Sequence, residues 1–173
     1  MEYLLLIIPV VFIVVIILRT LKFKPNDFPR MKKEHDIHPM HAVESLSQMI
    51  QFKTVSNVDP FKIDHEEFKK FQDFLVARYP EIHKKATLTH FELGLLYHLK
   101  GESSEQPIVF MAHYDVVPIN GEWKEDPFSG RIDEHTVYGR GALDTKSSLN
   151  AIMESFEHAL KIGKTFKHDV YLA

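Results

Sequence analysis

PIVFMAHYDVVP, residues 107–118, runs an apolar segment straight into a histidine and, two positions on, an aspartate. Ile108 to Ala112 form a short continuous apolar run after Pro107, the pattern of a central strand covered on both faces by helices. In such sheets ligands bind in the crevice beyond the carboxyl ends of the strands, and His113 to Asp115 stand at that end. Residues two apart in an extended chain point to one side, so both side chains can face the same crevice. A neutral imidazole can hold a cation through one nitrogen while a carboxylate takes the N–H of the other, fixing tautomer and ring orientation. The bland alternative is a strand-end turn with a solvated histidine. With 11 histidines in 173 residues, a His-x-Asp arises by chance on the order of once in two such chains, so its surroundings must carry the reading.

Those surroundings exclude several chemistries. The chain is 45% hydrophobic, 12% aromatic and 26% charged, a globular composition long enough for one modest domain with additions. A net charge of -3 supplies no basic field to gather nucleic acid. There is no cysteine, which rules out disulfides and thiolate metal sites and leaves His, Asp and Glu as the strong ligands.

At the start, YLLLIIPVVFIVVIIL (residues 3–18) is sixteen residues without a charge, extended by Thr20 and Leu21 if Arg19 snorkels. Glu2 at the opening and the lack of a small-residue cleavage pattern favour a retained anchor over a cleaved signal peptide. Residues 1–21 are therefore expected to form a single transmembrane anchor. Arg19, Lys22, Lys24, Arg30, Lys32 and Lys33 all follow the apolar run, and the positive-inside rule puts the rest of the chain in the cytoplasm. Residues 22–40, with three prolines and many charges, read as a linker.

Folding is expected from residue 41. Val43, Leu46, Met49 and Ile50 repeat at helical spacing. A second helix begins after Asp64, with Glu67 reaching back in a capping box, Phe68, Phe71 and Leu75 on one buried face, and Pro80 beyond its end. THFELGLLYHLKG (residues 89–101) reads as two extended segments broken at Gly94, with His90 and His98 as ordinary half-exposed strand residues. Further on, Asp126-Pro127 and Ser129-Gly130 mark turns, Val137-Tyr138 an extended piece, and Gly139-Arg140-Gly141 a tight turn where the backbone passes something closely. Asp144 stands at the entrance of a helix whose buried face is Leu149, Ile152, Met153, Phe156 and Leu160 and whose end is Gly163. Asp144 can be a simple N-cap. That does not account for the glycine pair upstream, and the helix's positive end also keeps an ionised carboxylate available to a cation.

HYDVVP (113–118), Trp123 followed by DPFSG (126–130), and VYGRGALDTK (137–146) together resemble the M20 metallopeptidases, in particular the membrane-anchored carboxypeptidase S-like and N-acyl-amino-acid hydrolase branch. The similarity runs from about residue 41 to the last residue, with the three motifs in order. It implies an α/β fold: the N-terminal part of a mixed, mainly parallel sheet flanked by helices, as in zinc-peptidase catalytic domains, preceded by one transmembrane helix. It also implies two zinc ions per complete site, with cobalt or manganese suiting the same ligands, and hydrolysis of an amide bond next to a free carboxylate in a peptide or an N-acyl amino acid. By motif match His113 binds one metal, Asp144 bridges both, and Asp115 orients His113. Tyr114 and Arg140 match the motif without an assigned chemistry. Glu134-His135-Thr136 departs from the glycine turn common in relatives.

The larger departure lies beyond HDVYLA (residues 168–173). The family places a Glu-Glu pair just after that strand and a lid domain, through which relatives dimerise, further on, so two of five expected protein ligands are present. Residues 41–173 are expected to be an incomplete catalytic domain, without hydrolysis or tight metal binding of its own. The competing expectation is a non-catalytic, membrane-tethered binding remnant using an open sheet edge.

Overall fold

The computed structural model describes residues 2–24, 39–134 and 136–173. The chain divides into two compact units, Met1–Asp36 and Ile37–Ala173. In the first, residues expected to span a membrane form helix α1 (Glu2–Lys22), whose apolar side chains from Ile7 to Leu18 are 45–67% exposed. Among the described residues no helix is long and apolar enough to cross a membrane. Most of the expected 22–40 linker, and His135 in the departing turn, lie outside the described residues.

The second unit runs α2 (Pro39–Gln51), a 3-10 turn (Pro60–Lys62), α3 (His65–Arg78), α4 (Pro80–Lys85), β1 (Thr87–Phe91), β2 (Gly94–Leu99), β3 (Ser103–Phe110), β4 (Ile132–Asp133), β5 (Thr136–Val137), α5 (Lys146–Lys161) and β6 (His168–Leu172). Local chemistry sets most boundaries. Asp64 accepts the N–H groups of Glu66 and Glu67 at the start of α3, satisfying two of the four orphan donors of a helix N-terminus. The reciprocal half of the expected capping box is absent, because the Glu67 carboxylate takes the Lys53 N–H instead, at 3.1 Å. Tyr79, at φ -122°, leaves the helical region as residues before a proline must, and Pro80 then opens α4. The α4 N-terminus is capped from α5: Glu157 accepts from the Glu81 and Ile82 N–H groups at 3.0 Å each. At the end of α5, Gly163 (φ +75°) turns the chain while Lys164 N–H returns to Ala159 C=O at 2.9 Å, closing the helix with a left-handed glycine.

Four strands form a sheet in the order β1-β2-β6-β3. β1 and β2 make the hairpin expected around Gly94, β2 pairs antiparallel with β6, and β3 pairs parallel with β6. The sheet is mixed, but two of its three pairings are antiparallel, which corrects the mainly parallel expectation for this part of the chain. The β1–β2 pairing follows from the short hairpin, which can return only an antiparallel strand; β2–β6 joins strands distant in sequence.

One face of the sheet is covered. Leu95, Tyr97 and Leu99 of β2 and Val170 and Leu172 of β6 belong to one buried cluster with Phe68, Phe71, Leu75, Tyr79, Ile82, Leu149, Met153 and Leu160. Burying each large side chain of this kind contributes ~1.5–3 kcal/mol. β3 is an edge strand of this sheet rather than a central one. Ile108, Val109 and Phe110 remain 39–54% exposed, because among the described residues nothing pairs with the outer edge of β3. The continuous apolar run thus marks a strand correctly but overstates its cover.

Candidate metal centre

Beyond Phe110 the chain stays extended. Ala112 N–H bonds to Ala173 C=O at 3.0 Å, Ala173 N–H returns to Phe110 C=O at 2.9 Å, and Val116 is bridged to Val55. Between these two fixed points side chains alternate. Tyr114 turns inward, 9% exposed, its ring stacked on Phe71 at 4.9 Å and its hydroxyl bonded to Leu93 C=O. His113 and Asp115 therefore turn outward together, to the carboxyl end of β3.

Asp144 reaches the same place from 31 residues further along the chain. Its peptide with Thr145 is cis, and Thr145 rather than Asp144 occupies the N-cap of α5, making no side-chain cap bond. The simple capping account of Asp144 is thereby excluded, and its carboxylate is left 85% exposed. The glycines upstream make the approach possible. A Cβ on Gly139 would stand 2.4 Å from Ile50 Cγ2, and one on Gly141 2.7 Å from Val116 Cγ1.

The three expected site residues are brought together. His113 Nδ1 lies 3.1 Å from Asp115 Oδ1 and 3.1 Å from the Asp115 carbonyl. His113 Nε2 lies 3.3 Å from Asp144 Oδ1. Thr145 Oγ1 donates to the His113 carbonyl at 3.2 Å, which ties the two segments beside the side chains. Partial burial pulls the His113 pKa down, but the Asp115 carbonyl and the carboxylates of Asp115 and Asp144 outweigh it and leave the pKa raised. Nε2, facing the Asp144 carboxylate at 3.3 Å, is thus the nitrogen that a cation would take up.

The donor set fits such a cation. Two donors on one tetrahedral zinc lie roughly 3.4 Å apart, close to the 3.3 Å between His113 Nε2 and Asp144 Oδ1. Asp115 behind Nδ1 is the usual carboxylate partner of a metal-bound histidine. Because Asp115 is engaged at the far nitrogen, two ligands remain. Accordingly, among the described residues no group of three or more His, Cys, Asp or Glu side chains could hold a metal ion.

A cavity of about 200 Å³ opens on this cluster, lined by His113, Asp115 and Asp144 together with Trp123, Arg140 and Leu143. The Arg140 guanidinium stands over the Trp123 ring at 5.0 Å, and its buried Nε has no hydrogen-bond partner among the described residues. A larger apolar cavity of about 510 Å³ adjoins His113 and Asp115 on the other side, among Phe110, Tyr114, Leu149 and Met153.

One contributor was not singled out from the sequence. Lys146, fully buried, donates to the Met49 and Phe52 carbonyls at 2.9 Å each. Burial, against weaker opposition from Asp115 and Glu67, pushes its pKa down to about 7. The signal was present in the sequence: a lysine in the first turn of a helix opposes the helix dipole and needs a specific reason.

Comparison with known proteins gives the chain its relatives. Residues 109–173 match the family model described as Peptidase family M20/M25/M40. The chain is 36% identical over 140 residues to probable carboxypeptidase S-like 2 of Dictyostelium discoideum, covering 78% of this chain and 27% of that one. It is 29% identical over 175 residues to the N-fatty-acyl-amino acid synthase/hydrolase PM20D1.1 of Danio rerio, covering 91% of this chain and 33% of that one. The chain thus spans between a quarter and a third of the length of these relatives. In fold it is similar to human carnosine dipeptidase 1, with a TM-score of 0.64 at 19% identity over 79% of this chain and 32% of that one. Over residues 109–173, from the end of β3 through the His113 and Asp144 segments to β6, this chain belongs to peptidase family M20/M25/M40.

Proposed function

We propose that His113, Asp115 and Asp144 are the part of a metal-dependent amide hydrolase that this chain contributes, acting on a bond next to a free carboxylate in a peptide or an N-acyl amino acid. The observation that carries the reading is the 3.3 Å approach of His113 Nε2 to Asp144 Oδ1 with a carboxylate already behind Nδ1. The relatives named as carboxypeptidase and N-fatty-acyl-amino acid hydrolase supply the substrate class.

His113 and Asp144 would hold zinc, and cobalt and manganese accept the same nitrogen and oxygen donors. A divalent cation bound there supplies Lewis acidity toward the scissile carbonyl and a lowered pKa for water. Asp115 keeps the Nδ1 proton in place, so that Nε2 presents its lone pair outward. Two ligands do not make a hydrolytic site, and the 173 residues alone are expected to turn over nothing. Membrane attachment through α1 belongs to the same proposal, supported by its exposed apolar side chains. Were α1 to insert, the basic residues after it would favour a second unit on the cytoplasmic side, which a reporter fused at Ala173 checks.

Co2+ titration followed by visible absorption tests the site. The wild-type chain should develop a d–d band that His113→Ala loses; an identical band in that variant would contradict the reading.

A further inference from the structure

Both halves of the candidate centre rest on one short segment. On the His113 side, Thr54, fully buried, donates its hydroxyl to the Tyr114 carbonyl at 2.6 Å and accepts the Val116 N–H on its own carbonyl at 2.8 Å. Ser56 N–H then bonds to Val116 C=O at 2.9 Å. These bonds grip Tyr114 and Val116, the residues on either side of Asp115. On the Asp144 side, the Lys146 ammonium or amine reaches back to Met49 and Phe52 at the C-terminal end of α2, where helix carbonyls lack partners of their own. Lys146 N–H also bonds to Gly141 C=O at 2.9 Å, so the turn leading to Asp144 is tied to the same lysine. Gly139 lies close against Ile50 of the same segment, while Gly141 lies against Val116, beside Asp115.

We infer that Met49–Ser56 is a common strut that sets the distance between His113 and Asp144, with Lys146 and Thr54 as positioning residues, one for each side. The inference rests on the metal-site reading for its purpose and on the hydrogen bonds above for its geometry. Neither side chain points to a ligand: Lys146 is fully buried beside Phe71, 5.2 Å from the ring centroid, and Thr54 is enclosed with its hydroxyl already used. Outer partners of this kind typically change metal affinity by about 10–100-fold when removed, because the ligands are then no longer held at the spacing one ion requires.

The test uses the full 173-residue chain, isotope-labelled for NMR, with Lys146→Met and Thr54→Val as variants that keep side-chain volume while removing the donors. Two quantities are read at matched thermal midpoints. The first needs no metal: nuclear Overhauser cross-peaks between the Thr145 methyl and His113, expected in the wild type and lost or much weakened in either variant. The second is the response to Zn2+. In the wild type the His113 ring and the Asp144 amide should shift along one isotherm, whereas each variant should bind about tenfold or more weakly with the two signals uncoupled. The double variant should bind little worse than either single one, since one cut already frees the two halves. Thr54→Ser, which keeps the hydroxyl, should retain wild-type values. Folded variants with intact cross-peaks and an unchanged isotherm would overturn the strut. A wild type whose His113 ignores Zn2+ would overturn the metal reading instead, while the cross-peaks still decide the strut.

Discussion

Among the histidine–carboxylate pairs of the second unit, the one at Glu154 and the one at Asp144 are packed in opposite ways. In one, Glu154 is 10% exposed and its oxygens accept from His41 Nδ1 at 2.9 Å, Ser45 Oγ at 2.5 Å and Tyr79 OH at 3.1 Å. Arg78 donates to Ser45 Oγ at 2.7 Å and to the His41 carbonyl. In the other, His113, Asp115 and Asp144 are 52%, 41% and 85% exposed, and among the described residues the Asp144 carboxylate pairs with the histidine ring alone. Residue type does not separate them. What separates them is whether the oxygen lone pairs are already used: the Glu154 cluster is closed and binds α2, α3 and α5 together, whereas the Asp144 cluster has capacity left for an incoming cation.

The contrast predicts opposite consequences for similar substitutions. Glu154→Ala removes the carboxylate that His41, Ser45 and Tyr79 share, leaving the two hydroxyls to the His41 carbonyl and Asn150 Oδ1, and should cost about 2–3 kcal/mol in urea unfolding, with the Zn2+ response at His113 intact. A variant that unfolds like the wild type would erase the distinction. Gly139→Ala should come next, at about 2 kcal/mol, because its methyl would meet Ile50 Cγ2 at 2.4 Å and the Pro127 carbonyl at 2.8 Å with φ held at +145°. Calorimetric melting checks it.

Lys146 supplies a pH signature. Its folded pKa is depressed to about 7 while the unfolded chain titrates near 10.5, so between these values the unfolded state holds more protons and stability rises with pH, by at most ~1.4 kcal/mol per pH unit. Lys146→Met should flatten that rise, and equal slopes in wild type and variant would remove the buried amine from the account. The raised pKa of His113 acts in the other sense. The stabilisation of its charged form is present below pH ~6.5 and is lost as pH rises through the folded value, an effect kept small by exposure. His113→Ala and Asp144→Ala should therefore melt with the wild type.

Much of this was legible in the sequence, where the deciding interaction is local. The α3 cap at Asp64, the Phe68, Phe71 and Leu75 face, the hairpin at Gly94, the outward pairing of His113 with Asp115 and the glycine end of α5 all depend on residues within a few positions of one another. The position of β3 was not legible, because an apolar run reports that a strand is wanted inside, not which strands flank it. Glu67 chose the Lys53 N–H over its own helix, and His41 met Glu154 across 113 residues. Such pairings are set by how α2 packs on α3 and α5, which no period in the chain encodes. The meeting of His113 with Asp144 was reached only through resemblance, and the support beneath it from Thr54 and Lys146 only through the coordinates.

The most direct test of the central claim is the Zn2+ dissociation constant read from the His113 ring resonances, compared between the wild type and Asp144→Ala. Weakening by at least ~10-fold with an unmoved melting midpoint is the predicted result. Equal constants in the two proteins would mean that the carboxylate and the imidazole do not share an ion, and would contradict the account.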